Sequence, residues 1–213
     1  MIVKLANIEL TPENPTYKGG AWHVEGMANE EIVATGIYYY HSENVTETRL
    51  NFRIQVWEPD LELGHVGYRI LYGLSSEEGL NQHLDGIVTK QDRCIAFPNI
   101  YQHQVQPFEL VDKTKPGKRQ ILVFFLVDPR YPILSTTQVP PQQLSWAISA
   151  GLMDEVNRKL PPELVALVST YMDWPMSLKG AKQHREKLMA ERGRFAQKVN
   201  RQIFERSFSL CEH

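Results

Sequence analysis

The 213 residues, 42% hydrophobic and 23% charged, suffice for one well-packed domain that buries roughly 70% of its unfolded surface. A formal net charge of −2 provides no global field that would favour nucleic acid or an anionic membrane, so neither is an expected partner. No window approaches the ~18 consecutive apolar residues of a membrane span. The opening MIVKLANIELTPEN has no signal-peptide layout. Two cysteines as far apart as Cys94 and Cys211 make no disulfide framework, so a reducing, cytoplasmic setting is expected. Cys94 lies in the apolar string RCIAFP and reads as a core residue.

In chain order, the first 135 residues are strand-rich. Val3–Leu10 alternates in part, and Ala21–Gly26 is a short, glycine-bounded strand. Glu31–Tyr40 contains IVATGIYYY, whose β-branched and aromatic residues favour a strand. Leu50–Trp57 alternates and stops at Glu58-Pro59, and Gly67–Leu74, Gly86–Thr89, Cys94–Phe97, Gln104–Leu110 and Arg119–Val127 follow. Turn-forming clusters such as PENP, KGG, WEPD, FPN and DKTKPGK separate them. Many short strands at near-regular spacing predict a mainly β fold of the jelly-roll kind.

Residues 136–213 change period and predict a helical C-terminal extension packed on the β core. Gln142–Lys159 and Pro161–Asp173 have helical spacing, with Pro162 suited to a first turn. Leu178–Arg206 reads as a long amphipathic helix with nine Lys/Arg (179, 182, 185, 187, 192, 194, 198, 201, 206) against three Glu (186, 191, 205). Its stripe of Leu188, Phe195, Val199 and Ile203 is expected to be buried on the β body, leaving the basic face in solvent.

The chemistry concentrates in three places. Within Trp22-His23-Val24-Glu25-Gly26, strand alternation would put His23 and Glu25 on one face. One imidazole beside one carboxylate is two thirds of the set that holds Fe(II) in oxygenases, two His and one carboxylate on one face of an octahedron with the opposite positions open. His103, in the string QHQV, is strand-borne and can supply the third ligand from across the barrel. His41, His65, His83, His184 and His213 fit less well: His41 follows the tyrosine run and precedes a turn, His65 and His83 lie in polar loop-like stretches, and His184 and His213 belong to the helical tail. Arg119 opens the apolar strand RQILVFFLV, where a guanidinium calls for an anionic partner. That partner is either a bound dicarboxylate, in a bidentate pair, or Glu109 or Asp112 nearby; otherwise Arg119 reaches solvent. Tyr38 and Tyr40 share a strand face and can either bond a cosubstrate or pack. Asn51 and Arg53 alternate on the next strand and could line a substrate mouth.

The order H-x-E, a strand pair ending in F-P, a distant His, then a basic residue opening the last strand resembles the 2-oxoglutarate- and Fe(II)-dependent dioxygenases, the prolyl-hydroxylase-like branch above all. The strings WHVEGMANEEIVATGIYYYHSENVTETRLNFR, IAFPNIYQHQVQPFEL and KPGKRQILVFFLVDP more specifically resemble a large, mostly fungal family known as a domain of unknown function, over about residues 2–175. Members of that family run longer at the N-terminus, which makes this chain a short member or a fragment. The resemblance implies a double-stranded β-helix. It makes His23, Glu25 and His103 the Fe(II) ligands and catalytic centre, with Arg119 holding the far carboxylate of 2-oxoglutarate. It further implies O2 as oxidant and an unidentified small-molecule or peptide substrate. Two departures accompany it: the carboxylate is Glu25 where aspartate is commoner, and the DKTKPG turn lengthens the path from His103 to Arg119. A cupin-like metalloenzyme that needs no 2-oxoglutarate, and a non-catalytic β-helix binding module, are the alternative readings.

Overall fold

The computed structural model describes residues 1–58, 64–151, 154–172 and 174–209. It contains two compact units: Met1–Pro132 together with the segment from Arg194 onward, and Ile133–Gly193.

The first unit is built on antiparallel sheets, as the alternation predicts. In chain order its strands are β1 (Ile2–Leu10), β2 (Thr16–Tyr17), β3 (Ile32–Glu43), β4 (Thr48–Gln55), β5 (Asn81–Thr89), β6 (Arg93–Pro98), β7 (Tyr101–Val105), β8 (Phe108–Glu109) and β9 (Gly117–Val127). They form a four-stranded sheet in the order β1-β9-β3-β6, a three-stranded sheet β5-β4-β7 and the small pair β2-β8. The main core joins Ile37, Tyr39, Ile95, Phe97, Val123 and Phe125 of the four-stranded sheet to Leu50 and Phe52 of the three-stranded one. The two larger sheets therefore face each other, and each fully buried side chain of this kind contributes about 1.5–3 kcal/mol. The opposite face of the four-stranded sheet leaves Val3, Leu5, Phe124 and Leu126 exposed.

Three expectations fail in this unit. Gly67–Leu74 is not a strand, because helix α1 (Gly64–Tyr72) occupies it. The run VGYRILY is apolar at both periods, and the helical one wins by placing Tyr68 and Tyr72 on one face, their ring centroids 6.3 Å apart. Ala21–Gly26 is not a regular strand either; His23 makes a single antiparallel bridge and Glu25 lies in the bend after it. Cys94 is exposed, on the outward-facing row of β6 opposite Tyr38.

The helical segments are α2 (Leu144–Ser149), α3 (Asp154–Lys159), α4 (Pro162–Thr170) and α5 (Leu178–Val199). A left-handed Gly151, with φ +71°, ends the first helical stretch early. Asp173 and Cys211 lie outside the described residues. At its C-terminal end α5 passes into one π-helical stretch, Asn200–Phe204, closed by a bond from the Glu205 N–H to the Asn200 carbonyl (2.7 Å). The wider turn rotates the stripe by one position. Leu188, Phe195 and Val199 are half-buried and Ile203 is exposed, while Phe204 is buried and packs at β4. The expectation of burial is thus met only in part along α5, which has no fully buried residue, and fails at Ile203, whose place Phe204 takes. No described helix is long and apolar enough to cross a membrane.

Candidate metal centre

His103 lies mid-strand in β7, opposite Phe52 of β4, and is 3% exposed. Its ring packs 4.9 Å from that of Phe97 across the sandwich, so it points inward. On its other side β7 accepts one residue of a further chain segment. The His23 N–H donates to the His103 carbonyl (3.2 Å), and the His103 N–H donates to the His23 carbonyl (3.0 Å). Directly opposed residues of an antiparallel pair share a face, and the two imidazole centroids are 4.3 Å apart. Trp22, one residue earlier, takes the other face and stacks on the Arg53 guanidinium at 4.8 Å.

Glu25 completes the set from a bend. Its Oε1 is 3.3 Å from His103 Nε2 and 3.8 Å from His23 Nε2. Donor atoms of the three residues all lie within 4.8 Å of one another, and among the described residues they are the group that could hold a metal ion. A metal at about 2.1 Å from each donor wants them roughly 3.0–3.4 Å apart, so a small closure would suffice. The donor chemistry also fits. Nδ1 of His23 donates to the Ala21 carbonyl (2.8 Å), which leaves Nε2 bare and turned to the carboxylate. Burial, then the neighbouring His103, pulls the His23 pKa below its ordinary value and keeps the ring neutral. Burial alone would raise the Glu25 carboxyl; the His103 hydrogen bond and both imidazoles outweigh it and hold the group ionised, below the usual range. The Nδ1 of His103 is buried without a partner among the described residues.

Arg119 faces the same interior from the other sheet. It shares the inward row of β9 with Val123 and Phe125 and is 3% exposed. Its Nη1 donates to Thr89 Oγ1 and its Nη2 to the Thr46 carbonyl, both at a long 3.3 Å, and it lies 4.4 Å over the Phe108 ring. Nε has no partner. Glu109 pairs with Lys113 and Asp112 with Lys115, so neither local carboxylate reaches Arg119, and among the described residues no ion pair to it occurs. The solvent-reaching alternative also fails at this burial.

Tyr38 and Tyr40 do not stand beside it. They lie on the outward row of β3, where Tyr38 Oη donates to Asp92 Oδ1 (3.2 Å). The inward tyrosine is Tyr39, 3% exposed; burial pushes its phenol up to about 12, against the pull of the Arg119 cation. A bulge at Tyr40 then shifts the pairing, so that Ser42 rather than His41 stands opposite Arg119. Ser42 Oγ is likewise buried without a partner among the described residues. Arg53 is no mouth residue: it is buried against Gln102 (2.7 Å), Asn200 (3.2 Å) and Glu205 (2.6 Å), which fasten the C-terminal segment to the outer face of β4.

The reading from sequence missed Tyr39, Ser42 and Asn99. The last is the Asn of FPN and hydrogen-bonds the Glu25 backbone. A polar amide directly after a strand-ending Phe-Pro was the available signal.

Among curated proteins none matches the chain. Among solved structures, the crystal structure of PirA is similar at 8% identity over 57% of this chain and 93% of that one, with a TM-score of 0.25; nothing about fold or activity passes across so low a score. The family described as "Protein of unknown function (DUF4246)" matches residues 1–150. That span takes in both facing sheets, the His23-Glu25-His103 group and Arg119, and the chain belongs to this DUF4246 family.

Proposed function

We propose that the chain is an Fe(II)- and 2-oxoglutarate-dependent oxygenase acting on an organic substrate, with its two facing sheets forming a double-stranded β-helix. One observation carries the reading. Two imidazoles and a carboxylate converge on one inner wall, and the opposite wall presents a buried arginine with no carboxylate partner among the described residues. The strand order supports the architecture, because the chain leaves the four-stranded sheet after β3, pairs β4 with β5 in the other, and returns at β6 and again at β9.

His23, Glu25 and His103 would hold the metal; the His103 ring beside Phe52 and Phe97 limits water on its side, while the His23 side, about one-third exposed, is open. Bound there, iron supplies the redox chemistry with O2, and 2-oxoglutarate supplies two of the electrons. Arg119 receives the distal carboxylate through charge-assisted bonds. Ser42 and Tyr39, facing it from β3, supply hydroxyl donors to the same group. Ionised Glu25 and neutral His23 are already in the protonation states a metal requires.

Anaerobic titration with Fe(II) and then 2-oxoglutarate tests the reading. A stoichiometric complex with a weak visible charge-transfer band is expected, and absence of any 2-oxoglutarate-dependent spectral change would overturn it. One observation favours a second reading, a cupin-like metalloenzyme without 2-oxoglutarate: Thr89, the Thr46 carbonyl and the Phe108 ring already meet part of the guanidinium's demand. That enzyme would bind the metal and take up oxygen without forming succinate.

A further inference from the structure

Glu25 is the one member of the metal group that no sheet holds. His103 sits within β7, and His23 shares a reciprocal pair of backbone bonds with it. Glu25 lies beyond that bridge in a bend, before a left-handed Gly26 at φ +72°. A carboxylate on an unsupported bend would sample many positions, and metal affinity depends on its being held ready.

Beside the local bond from the Met27 N–H to Glu30 Oε2 (2.8 Å), a side chain from elsewhere in the chain holds the bend at Glu25 itself. Asn99 Oδ1 accepts from the Glu25 N–H (2.9 Å), and Asn99 Nδ2 donates back to the Glu25 carbonyl (2.9 Å). The carboxamide thereby does for Glu25 what a neighbouring strand's peptide group would do. The same Nδ2 also donates to the Ile32 carbonyl (3.0 Å), and the Asn99 N–H donates to the Val33 carbonyl (2.9 Å), tying the amide to the start of β3. Only a side chain with both a carbonyl and an amino group on one carbon can make the reciprocal pair. Asn99 also occupies the turn between β6 and β7, four residues before His103. One short turn thus positions two of the three donors.

We propose that Asn99 is a positioning residue for the metal centre, fixing the Glu25 bend so that its carboxylate is aimed at His23 and His103 before any metal arrives. This rests on the metal-binding part of the function proposed above. The competing account is that Asn99 merely closes the loop between residues 25 and 32 and matters for stability alone.

The two accounts separate with Co(II) as the probe, its affinity and ligand-field spectrum being read on the full chain beside urea unfolding. Asn44 provides the control. It is a second loop clamp, whose Nδ2 donates to the carbonyls of Asp112 (3.0 Å), Lys115 (2.9 Å) and Pro116 (3.1 Å), and it touches no member of the metal group. Asn99→Ala is expected to weaken Co(II) binding about 10- to 100-fold, as loss of an outer support to a ligand does, and to alter the ligand-field bands. Asn44→Ala should lower stability while leaving Co(II) affinity within about twofold. Asn99→Asp, which keeps the acceptor for the Glu25 N–H and loses the donors, is expected to fall between Asn99→Ala and wild type, and serves if the alanine variant does not fold. Wild-type affinity in both Asn99 variants, or an equal loss in Asn44→Ala, would overturn the positioning role. No Co(II) binding by the wild type would instead overturn the metal reading on which it rests.

Discussion

Replacing Arg119 with methionine separates a ligand-holding arginine from a structural one. Without a ligand, the folded chain buries a guanidinium that is 3% exposed, has an unpartnered Nε and makes two long hydrogen bonds. An unsatisfied buried donor costs about 1–3 kcal/mol, and swapping buried charge for an apolar side chain of similar volume is often neutral or stabilising. Unliganded Arg119→Met should therefore be as stable as wild type, or more so by about 1–3 kcal/mol. With redox-silent Mn(II) and 2-oxoglutarate the order reverses. At 100 times its Kd the cosubstrate stabilises wild type by about 2.7 kcal/mol, roughly 5–11 °C in Tm at about 2–4 °C per kcal/mol for a chain of this size. The variant loses one side of a buried charge pair, about 2–5 kcal/mol of binding, or roughly 30- to 4,000-fold in Kd, so at that concentration its stabilisation should fall to about 0.9 kcal/mol or less and its Tm should move by no more than about 3 °C. Thermal melts and calorimetric titration read both halves. A variant that keeps the full 2-oxoglutarate shift, or one that collapses before any ligand is added, would refute the reasoning.

His23→Ala should abolish Mn(II) or Co(II) binding with little change in urea stability, since its side chain is about one-third exposed; His103→Ala should abolish it too but cost about 1–3 kcal/mol more, because its ring is packed between Phe52 and Phe97. Undiminished metal binding in either variant would remove that residue from the ligand set. Asp112, in the turn feeding β9, is held down at about 2 by hydrogen bonds from Thr114 and by Lys115. A depressed carboxyl adds stability above its unfolded value near 3.8 and loses it as pH falls through the folded one. Asp112→Asn should thus flatten the pH dependence of stability between about 4 and 2, and NMR of the wild-type carboxyl should show a midpoint near 2. Arg53→Ala strips Gln102 and Asn200 of a buried partner, at about 2–4 kcal/mol, and hydrogen exchange should show the amides of residues 200–208 losing protection first.

What could be read from the sequence divides along a physical line. His23, Glu25, His103 and Arg119 were legible because their chemistry is anomalous where they stand: a guanidinium on an apolar strand and ligand-type side chains at strand spacing announce a demand regardless of exact register. The alternation that placed β1, β3, β4, β6 and β9 was equally legible, since burial on one face imposes a period of two. The groups that stand beside Arg119 depend on register instead. One extra residue at Tyr40 makes Ser42 rather than His41 the neighbour of Arg119, and the preceding alternation makes Tyr39 rather than Tyr38 or Tyr40 the inward ring. Nothing in the run YYYHS marks that residue as the bulge. The wider turn at Asn200–Phe204 likewise exchanges Ile203 for Phe204, because a helix period extrapolated past Val199 assumes 3.6 residues per turn where the backbone takes more. Glu25 unites the two kinds of case. Strand alternation put it beside His23, but the backbone there is a bend, and its peptide groups are bonded by the Asn99 side chain as a neighbouring strand would bond them. The sequence spacing therefore paired two residues that do lie side by side, but through a geometry the chain does not use, and the amide that bonds the Glu25 backbone lies 74 positions away.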